Sequence, residues 1–372
     1  MSRWAAASAD GPIFITAAGD TVRMHEELRI GQLSGPDEYT FALIVWTLPT
    51  PDGGVFLYDL ESSDGRGENG RIRKFDAQGH SVRYVGAPGE GPGEYSSFPQ
   101  GTMLRGGDLL IADQGLARIT RYDTAGNLAA SWPGPPAMAE LKPATDGGWY
   151  VATVTDHPEG KPRHIDYVHY DSLGHEISRF PAPDAYLNGP NGGAGAVDNS
   201  TSDVTILPDG RMVTATNDSL SFLVSSPTGE VRVTAPWQPV AYLPEEREAR
   251  RAMIAGLVKR AGGDPSGIEV PEFKKTFSAM TTDGNGRISF RMRTTGYKIE
   301  PETPLKPTQT PWHESFEVER FDSTLHHLGR LITPRQSIRA NGTLGPDALW
   351  LVQEGPSGEL YLVKWRPDRT AW

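Results

Sequence analysis

The chain has 372 residues and a formal charge of −11, with 36 basic against 47 acidic side chains. This acidic balance argues against nucleic-acid binding, because such binding depends on neutralising phosphates with Lys and Arg. The absence of Cys excludes disulfides and thiolate metal ligands. The sequence also has no run of 18 apolar residues and no basic-then-apolar leader, so we expect a soluble chain with no transmembrane segment and no intact signal peptide.

From the amino terminus, residues 1–20 form a predicted extension, and Thr21–Ile30 (TVRMHEELRI) forms an isolated extended segment. One unit then recurs: an Asp/Gly turn, a short apolar run, an aromatic-rich strand and a second Gly turn. The first half of the unit occurs at Pro51–Asp59, Arg105–Asp113, Thr145–Thr153, Pro208–Thr216, Thr282–Arg291 and Gly345–Gln353. The second half occurs at Arg71–Gly79, Arg118–Gly126 and Asp166–Gly174, and more weakly at Ser221–Gly229, Phe316–Leu325 and Leu360–Asp368. Because Asp and Gly tolerate tight connections, each half predicts a β-hairpin.

Two hairpins per unit give four antiparallel strands, and six such units predict an all-β, six-bladed β-propeller that forms a single domain over residues 1–372. The last unit ends after three strands. Thr21–Ile30 is therefore predicted to supply the missing outer strand of the final blade and to close the ring. A pair of β-sandwiches is the alternative, since short strands with turn signals also fit that class. The constant order of turns and strands favours the propeller.

Residues 236–275, between the fourth and fifth units, depart from the strand pattern and form a predicted helical insertion. Its helix is predicted near residues 244–261, with Pro244 at the first position, two glutamates in the first turn and Gly262–Gly263 as the stop. Apolar residues recur from Ala249 at three- or four-residue spacing, which predicts an amphipathic helix. The insertion covers a blade junction or forms a lid over the channel mouth; both alternatives stay open.

The repeats and the segment Gly86–Tyr95 (GAPGEGPGEY) resemble those of bacterial six-bladed β-propellers related to NHL-repeat and gluconolactonase-like proteins. A GxxGxGPGEF segment is frequent in one such group. The resemblance extends over nearly the whole chain from about Val22 and implies the fold, but propellers support many activities. Members of the group are commonly exported or lipid-anchored, so the resemblance implies a periplasmic or secreted location. Ser2–Asp10 is equally consistent with a trimmed leader and with a cytosolic start.

The lengths of the connections predict which face of the propeller binds a ligand. Connections within each hairpin are uniformly tight, whereas every long segment joins the second strand to the third or one blade to the next. The long segments are Glu61–Gly70, Gly86–Gln100, Thr155–Arg163, Pro181–Ser202, Pro236–Lys275 and Thr294–Ser315. Such loops tolerate length changes and commonly carry binding residues, so we expect function on this loop-rich face.

Candidate ligand-binding residues lie at the ends of the second strands and in the long loops. From the strand ends we select Asp59, Asp113, Arg291 and Gln353, and from the loops Tyr95, Tyr297, Trp312 and His313. Aromatic rings beside charged groups suit sugar, peptide or protein contacts. Two alternatives remain: Asp59 and Asp113 cap backbone amides at strand ends, and Tyr297 and Trp312 anchor their own loop.

The favoured function is that of a non-enzymatic recognition propeller that binds a protein, peptide or glycan, and no cofactor is predicted. The alternative follows from the resemblance, which implies a divalent cation held by Glu, Asn and Asp oxygens in gluconolactonase-like propellers. Asp203 and Asn217 are the candidate ligands for Ca²⁺ or Mg²⁺ in such a metal-dependent lactonase-like hydrolase. A nucleophilic GxSxG motif is absent from the sequence.

Overall fold

The computed structural model describes residues 11–60, 70–96, 99–155, 164–182, 202–299, 309–333, 342–345, 347–355 and 357–369. Two strands come first, β1 (Ile13–Thr16) and β2 (Thr21–Ile30), followed by a 3₁₀ helix at Asp37–Tyr39. The next ten strands are β3 (Leu43–Pro49), β4 (Val55–Leu60), β5 (Gly70–Phe75), β6 (Ser81–Val85), β7 (Ala87–Pro88), β8 (Glu94–Tyr95), β9 (Gln100–Met103), β10 (Leu109–Asp113), β11 (Arg118–Tyr122) and β12 (Leu128–Pro133).

The middle of the chain contains eight strands and the α-helix. The strands are β13 (Met138–Pro143), β14 (Trp149–Thr155), β15 (His164–Tyr170), β16 (Glu176–Pro181), β17 (Ser202–Ile206), β18 (Met212–Thr216), β19 (Ser221–Ser226) and β20 (Gly229–Thr234). Helix α1 (Pro244–Arg260) follows. The last nine strands are β21 (Phe277–Thr282), β22 (Ile288–Met292), β23 (Tyr297–Lys298), β24 (Trp312–His313), β25 (Glu317–Phe321), β26 (His327–Ile332), β27 (Gly342–Leu344), β28 (Leu349–Glu354) and β29 (Leu360–Pro367).

Most of these strands form four-stranded antiparallel sheets in chain order. β3–β6, β9–β12, β13–β16 and β17–β20 each form one sheet, and β21, β22, β25 and β26 pair in the same order. The last sheet consists of β27, β28, β29 and β2, so its outer strand comes from the other end of the chain. β1 pairs with both β26 and β2 and joins the last two sheets. The predicted pairing of Thr21–Ile30 with the final strand is present.

The tight turns repeat one hydrogen-bonding pattern, which explains why the sequence places Asp and Gly there. After β5, the Asp76 carboxylate accepts hydrogen bonds from the amides of Gln78 and His80 at 2.9 and 2.8 Å. Gly79 then adopts a φ of +82°, which glycine tolerates because it lacks a Cβ. The equivalent amide four residues later donates to the carboxylates of Asp123, Asp171, Asp283 and Asp322.

Apolar side chains pack between neighbouring sheets rather than within one sheet. Each residue of β4 and β10 is buried, which requires a packing partner on both faces of these strands. Six clusters join the sheets in order, each shown here by one pair: Phe56–Leu109, Leu110–Trp149, Tyr150–Ile206, Phe222–Phe290, Val318–Leu349 and Trp350–Val55. First strands of neighbouring sheets also contact one another, as β3 does with both β9 and β27. Four-stranded antiparallel sheets packed face to face in this way define a β-propeller-type fold.

The glycine-rich segment Gly86–Tyr95 passes closely between the first two sheets. A Cβ on Gly86 would lie 2.6 Å from the carbonyl oxygen of Gly93, so a larger residue does not fit. The Tyr122 hydroxyl donates to that same oxygen at 2.9 Å, and Arg118 donates to the carbonyl oxygen of Gly91 at 2.6 Å. The glycines therefore serve close backbone packing.

Helix α1 begins at the predicted Pro244 and ends at Arg260. Gly262 has a φ of +78°, and the amide of Gly263 donates to the carbonyl oxygen of Val258, so the predicted glycine pair ends the helix. The apolar side of the helix is small: Ile254 is its buried apolar residue.

No helix in the described part of the chain has the length and apolar character needed to cross a bilayer.

The junction between the two chain ends contains a β-bulge at Glu27. Glu26 pairs with Trp365 and Leu28 with Lys364, which leaves Glu27 as the extra residue of β2. Its carboxylate accepts hydrogen bonds from Arg366 and lies 3.1 Å from the Lys364 ammonium. The hydrogen bond from Arg366 is the main reason why the pKa of Glu27 falls from 4.5 to about 2.

We predict that Glu27 stabilises this junction in a pH-dependent way. A carboxyl group with a lowered pKa in the folded state adds stability above its unfolded pKa, and this contribution disappears as the pH falls from about 4.5 to about 2. Glu27→Gln should therefore lower the melting temperature at pH 7 and match the wild type near pH 2. Glu26→Gln is the control, because Glu26 pairs with Arg29 of its own strand. Equal effects of both substitutions at every pH would contradict the prediction.

Candidate functional site

A cavity of about 340 Å³ lies between helix α1, the β21–β22 pair and the residues around β24. Its lining includes Tyr242, Arg250, Ser278, Arg291, Trp312 and His313. These residues come from the two long insertions that the sequence assigns to the loop-rich face, together with the hairpin between them. The cavity is therefore built by the added chain together with β21 and β22 of the fifth sheet.

The β23–β24 pair sets the position of the aromatic residues in the cavity wall. Tyr297 pairs with His313 and Lys298 with Trp312, and the rings of Tyr297 and His313 are 6.2 Å apart. Gly296 directly precedes this pair, and a Cβ there would lie 2.4 Å from the Glu246 carboxylate of α1. The glycine thus permits close contact between the helix and the loop.

A buried lysine connects the walls of the cavity. The Lys274 side chain is fully buried, and its ammonium donates to Glu246 at 2.5 Å, to Glu314 at 3.0 Å and to the carbonyl oxygen of Thr294 at 2.7 Å. Arg293 forms a bidentate pair with Glu314, with N–O distances of 2.9 and 2.7 Å. Because Glu246 belongs to α1 and Glu314 to the loop after β24, this network attaches both insertions to the fifth sheet.

The charged groups of this network balance one another. Burial raises the pKa of the Glu314 carboxyl, but the hydrogen bonds and charge of Arg293 and the charge of Lys274 outweigh it, so the pKa is below its usual value. Glu314 is therefore ionised at neutral pH. Both carboxylates of the cavity lining, Glu246 and Glu314, form ion pairs with cationic side chains of the protein itself.

Three of the predicted ligand-binding residues line this cavity, and their side chains have no hydrogen-bond partner among the described residues. Arg291 lies with its guanidinium 5.5 Å from the Phe316 ring centroid, and it donates no side-chain hydrogen bond to any described residue. Burial lowers the pKa of Arg291 but leaves it charged at neutral pH. Likewise, neither the Trp312 indole nor the His313 imidazole hydrogen-bonds to a residue that the structure describes. Burial lowers the pKa of His313, which makes its neutral form the main one at pH 7.

The two predicted aspartates at strand ends have local partners instead. Asp59 accepts hydrogen bonds from the amides of Ala42 and Leu43 at 3.1 and 2.8 Å and pairs with Arg73 at 2.6 Å. Asp113 accepts from the hydroxyl of Ser96 at 2.6 Å and from a backbone amide at 3.0 Å. Both carboxylates are buried, and they cap amides as the alternative interpretation of the sequence holds.

The other predicted residues lie apart from the cavity lining. Tyr95 is buried, its hydroxyl accepts a hydrogen bond from the Ile72 amide at 2.9 Å, and burial raises its pKa. Gln353 accepts a hydrogen bond from Arg29 at 3.3 Å. Arg291, Trp312 and His313 thus share one cavity, Tyr297 supports it, and Asp59, Asp113, Tyr95 and Gln353 do not line it.

The two candidate metal ligands lie in and after the fourth sheet. Asp203 is in β17, and burial is the main cause of its raised pKa, to which the charge of Glu140 adds. Asn217 follows β18, and its carbonyl oxygen accepts a hydrogen bond from the Thr276 amide at 2.7 Å. Among the residues that the structure describes, no three His, Asp or Glu side chains are grouped as metal ligands. The calcium or magnesium site thus remains a sequence-based prediction.

Sequence reasoning missed the residues that hold the cavity together. Glu246 is one of the two glutamates in the first turn of the predicted helix, and its carboxylate accepts a hydrogen bond from the Leu243 amide at 3.3 Å. Lys274, Arg293 and Glu314 were not singled out. The available signal was weak: Lys274 has Phe273 directly before it and Phe277 three residues later.

The fold and the cavity define a β-propeller-type protein with an insertion-built polar pocket. No protein-family model matches the chain, and no curated protein matches it. A member of the DUF4221 family from Bacteroides vulgatus aligns with a TM-score of 0.52 and 13% identity, covering 94% of this chain and 99% of that chain. A Bacteroides fragilis protein aligns with a TM-score of 0.51 and 11% identity, covering 94% and 96%. At such identities the likeness shows a shared fold alone.

A third alignment is weaker. Virginiamycin B lyase from Staphylococcus aureus, in a catalytically inactive form, aligns with a TM-score of 0.39 and 13% identity, covering 95% of each chain. This degree of overlap carries no argument about activity. The function must therefore be inferred from the cavity itself.

We predict that Lys274 is needed to hold the cavity walls. Lys274→Met leaves Glu246 and Glu314 near a buried apolar group, and removing one partner of a buried ion network costs about 3–5 kcal/mol. Lys275→Met is the matched control, since Lys275 pairs with the exposed Asp218 and such pairs contribute about 0–1 kcal/mol. Urea denaturation and hydrogen exchange of α1 measure both effects. The same small loss for both variants would contradict the assigned role.

Proposed function

We propose that the sheets form a closed six-bladed propeller in which β2 completes the last blade. Support comes from the apolar clusters, which join each sheet to the next and the last sheet to the first through Trp350 and Val55. Further support is the hydrogen bond between the hydroxyls of Thr47 in β3 and Thr343 in β27, at 2.9 Å. In such a ring, the long connections all lie on one face, and the cavity opens on it.

We propose that this protein is a non-enzymatic recognition propeller, with the cavity as the main contact for a protein, peptide or glycan. The observation that carries the proposal is the convergence of Arg291, Trp312 and His313 on one cavity without hydrogen-bond partners among the described residues. Polar groups that converge in a concave site and lack internal partners are typical of ligand binding. The cavity volume of about 340 Å³ suits a small ligand or one unit of a larger one.

The lactonase-like hydrolase is the second candidate function, and its cation would be held by Asp203 and Asn217 rather than in this cavity. The described carboxylates of the cavity lining, Glu246 and Glu314, bind Lys274. Ser278, the hydroxyl-bearing residue beside Arg291, donates to a backbone carbonyl oxygen at 3.3 Å. Neither arrangement resembles an activated nucleophile.

We predict that the recognition surface can be removed without unfolding the propeller. The double substitution Trp312→Ala and His313→Ala should abolish binding to those members of a glycan and peptide array that the wild type retains. Leu173→Ala is the control, because Leu173 is exposed in the tight Asp171–Gly174 turn between β15 and β16 and does not line the cavity. Circular dichroism should give the same spectrum for all three proteins. Unchanged array binding by the double variant would refute the proposal.

A further inference from the structure

The cavity has an excess of positive charge in a protein that is acidic as a whole. Arg250, Arg291 and Arg293 line it, and Lys274 lies directly behind its wall, whereas Glu246 and Glu314 are the acidic residues of the lining. Four cations thus face two carboxylates, against a net charge of −11 for the chain. Because Lys274 and Arg293 neutralise the two glutamates, the charge of Arg291 is available to a ligand.

Arg291 is the residue best placed to bind an anionic group. Its guanidinium is half-buried, remains charged, and makes a cation–π contact with Phe316 that fixes one side of the group. An arginine guanidinium has five N–H donors, and two of them can bind both oxygens of one carboxylate. None of the Arg291 donors binds a residue that the structure describes. The Arg291 nitrogens are not among the fully buried atoms without a partner, so they are accessible from the cavity to the carboxylate of a ligand.

The rest of the lining points to a hydroxylated ring rather than to an apolar side chain. Trp312 offers an aromatic surface, and its indole N–H has no described partner, as is also true of the imidazole of His313. Ser278 and Thr310 add hydroxyl groups to a lining in which Met292 is the aliphatic member. Aromatic faces bind the C–H surface of sugars, while hydroxyls, imidazole and carboxylate oxygens bind sugar hydroxyls.

From these observations we infer that the cavity binds an acidic sugar, a hexuronate unit whose carboxylate pairs with Arg291 while its ring packs on Trp312. This inference rests on the proposed recognition function and makes it specific. A peptide with a free carboxyl terminus would satisfy Arg291, but it would leave the hydroxyl-binding groups around it without partners. The polar lining therefore favours the sugar.

The experiment compares matched probes by isothermal titration calorimetry with the full chain. The probes are oligomers of glucuronate and of galacturonate, the same oligomers with methyl-esterified carboxyl groups, and a short peptide as the free acid and as the amide. We expect the wild type to bind a uronate oligomer and to bind its methyl ester at least about tenfold more weakly, as loss of a charged hydrogen bond implies. Binding should also weaken with increasing NaCl.

Three variants assign the binding to the named residues. Arg291→Met should remove the preference for the acid over the ester, and Arg291→Lys should retain part of it. Arg232→Met is the matched control, because Arg232 lies exposed in the outer strand β20. Trp312→Ala should weaken the binding of acid and ester alike. Thermal melting of each variant verifies that it is folded.

The outcomes separate this inference from the proposed function. Equal binding of acid and ester, or an unchanged preference in Arg291→Met, overturns the acidic sugar but leaves recognition in place. Selective binding of the peptide acid also overturns it. If wild type binds none of the probes, the acidic sugar is rejected, and the array comparison with the Trp312 and His313 double variant then decides whether recognition stands.

Discussion

The constraint on which the whole structure depends is that the central strands are buried on both faces. β4 and β10 expose no residue along their length, so each of their sheets needs another sheet on either side. Each sheet therefore packs against the next one along the chain. The first sheet also packs against the last, because Val55 and Leu57 contact the cluster that contains Trp350 and Val352. Packing of Trp350 against the first sheet covers an apolar face that would otherwise contact water, while β2 completes the last sheet by pairing with β29.

Face-to-face packing of this kind limits where the chain can grow. Insertions cannot enter the tight turns without moving a packed hairpin, because the Asp carboxylates at those turns bind amides two and four residues later. The insertion with α1 and the loop with β24 instead join a blade to the next and a second strand to a third. The helical insertion has a small apolar cluster of its own, formed by Tyr242, Ile254 and Val270. The ion network around Lys274 attaches this insertion and the loop with β24 to the fifth sheet.

Most strands were predictable because local turn signals mark them, and the pairing of β2 with β29 followed from a strand count. Asp–Gly turns mark each hairpin, and a final unit with three strands indicates a partner elsewhere in the chain. The site was only partly predictable. Asp59 and Arg291 occupy corresponding positions in their units, and nothing local shows that Asp59 is paired with Arg73 whereas Arg291 faces a cavity. The contacts that decide this involve residues far apart in the chain, as in the Glu246–Lys274 pair, and a single sequence does not contain that information.

The corresponding positions also indicate how a repeated scaffold acquires one asymmetric site. In two sheets, a carboxylate near the end of the second strand is bound within the protein. Asp59 accepts hydrogen bonds from the amides of Ala42 and Leu43, just before and at the start of β3, and pairs with Arg73. Asp113 accepts hydrogen bonds from the Ser96 hydroxyl and from the Leu116 amide in the connection that follows β10. In the fifth sheet the connection instead leaves as the long loop with β23 and β24, whose nearest carboxylate, Glu314, is already bound by Arg293 and Lys274. Arg291 is thereby left with a charge to which no described side chain hydrogen-bonds, and this is the charge that the proposed anionic ligand would meet.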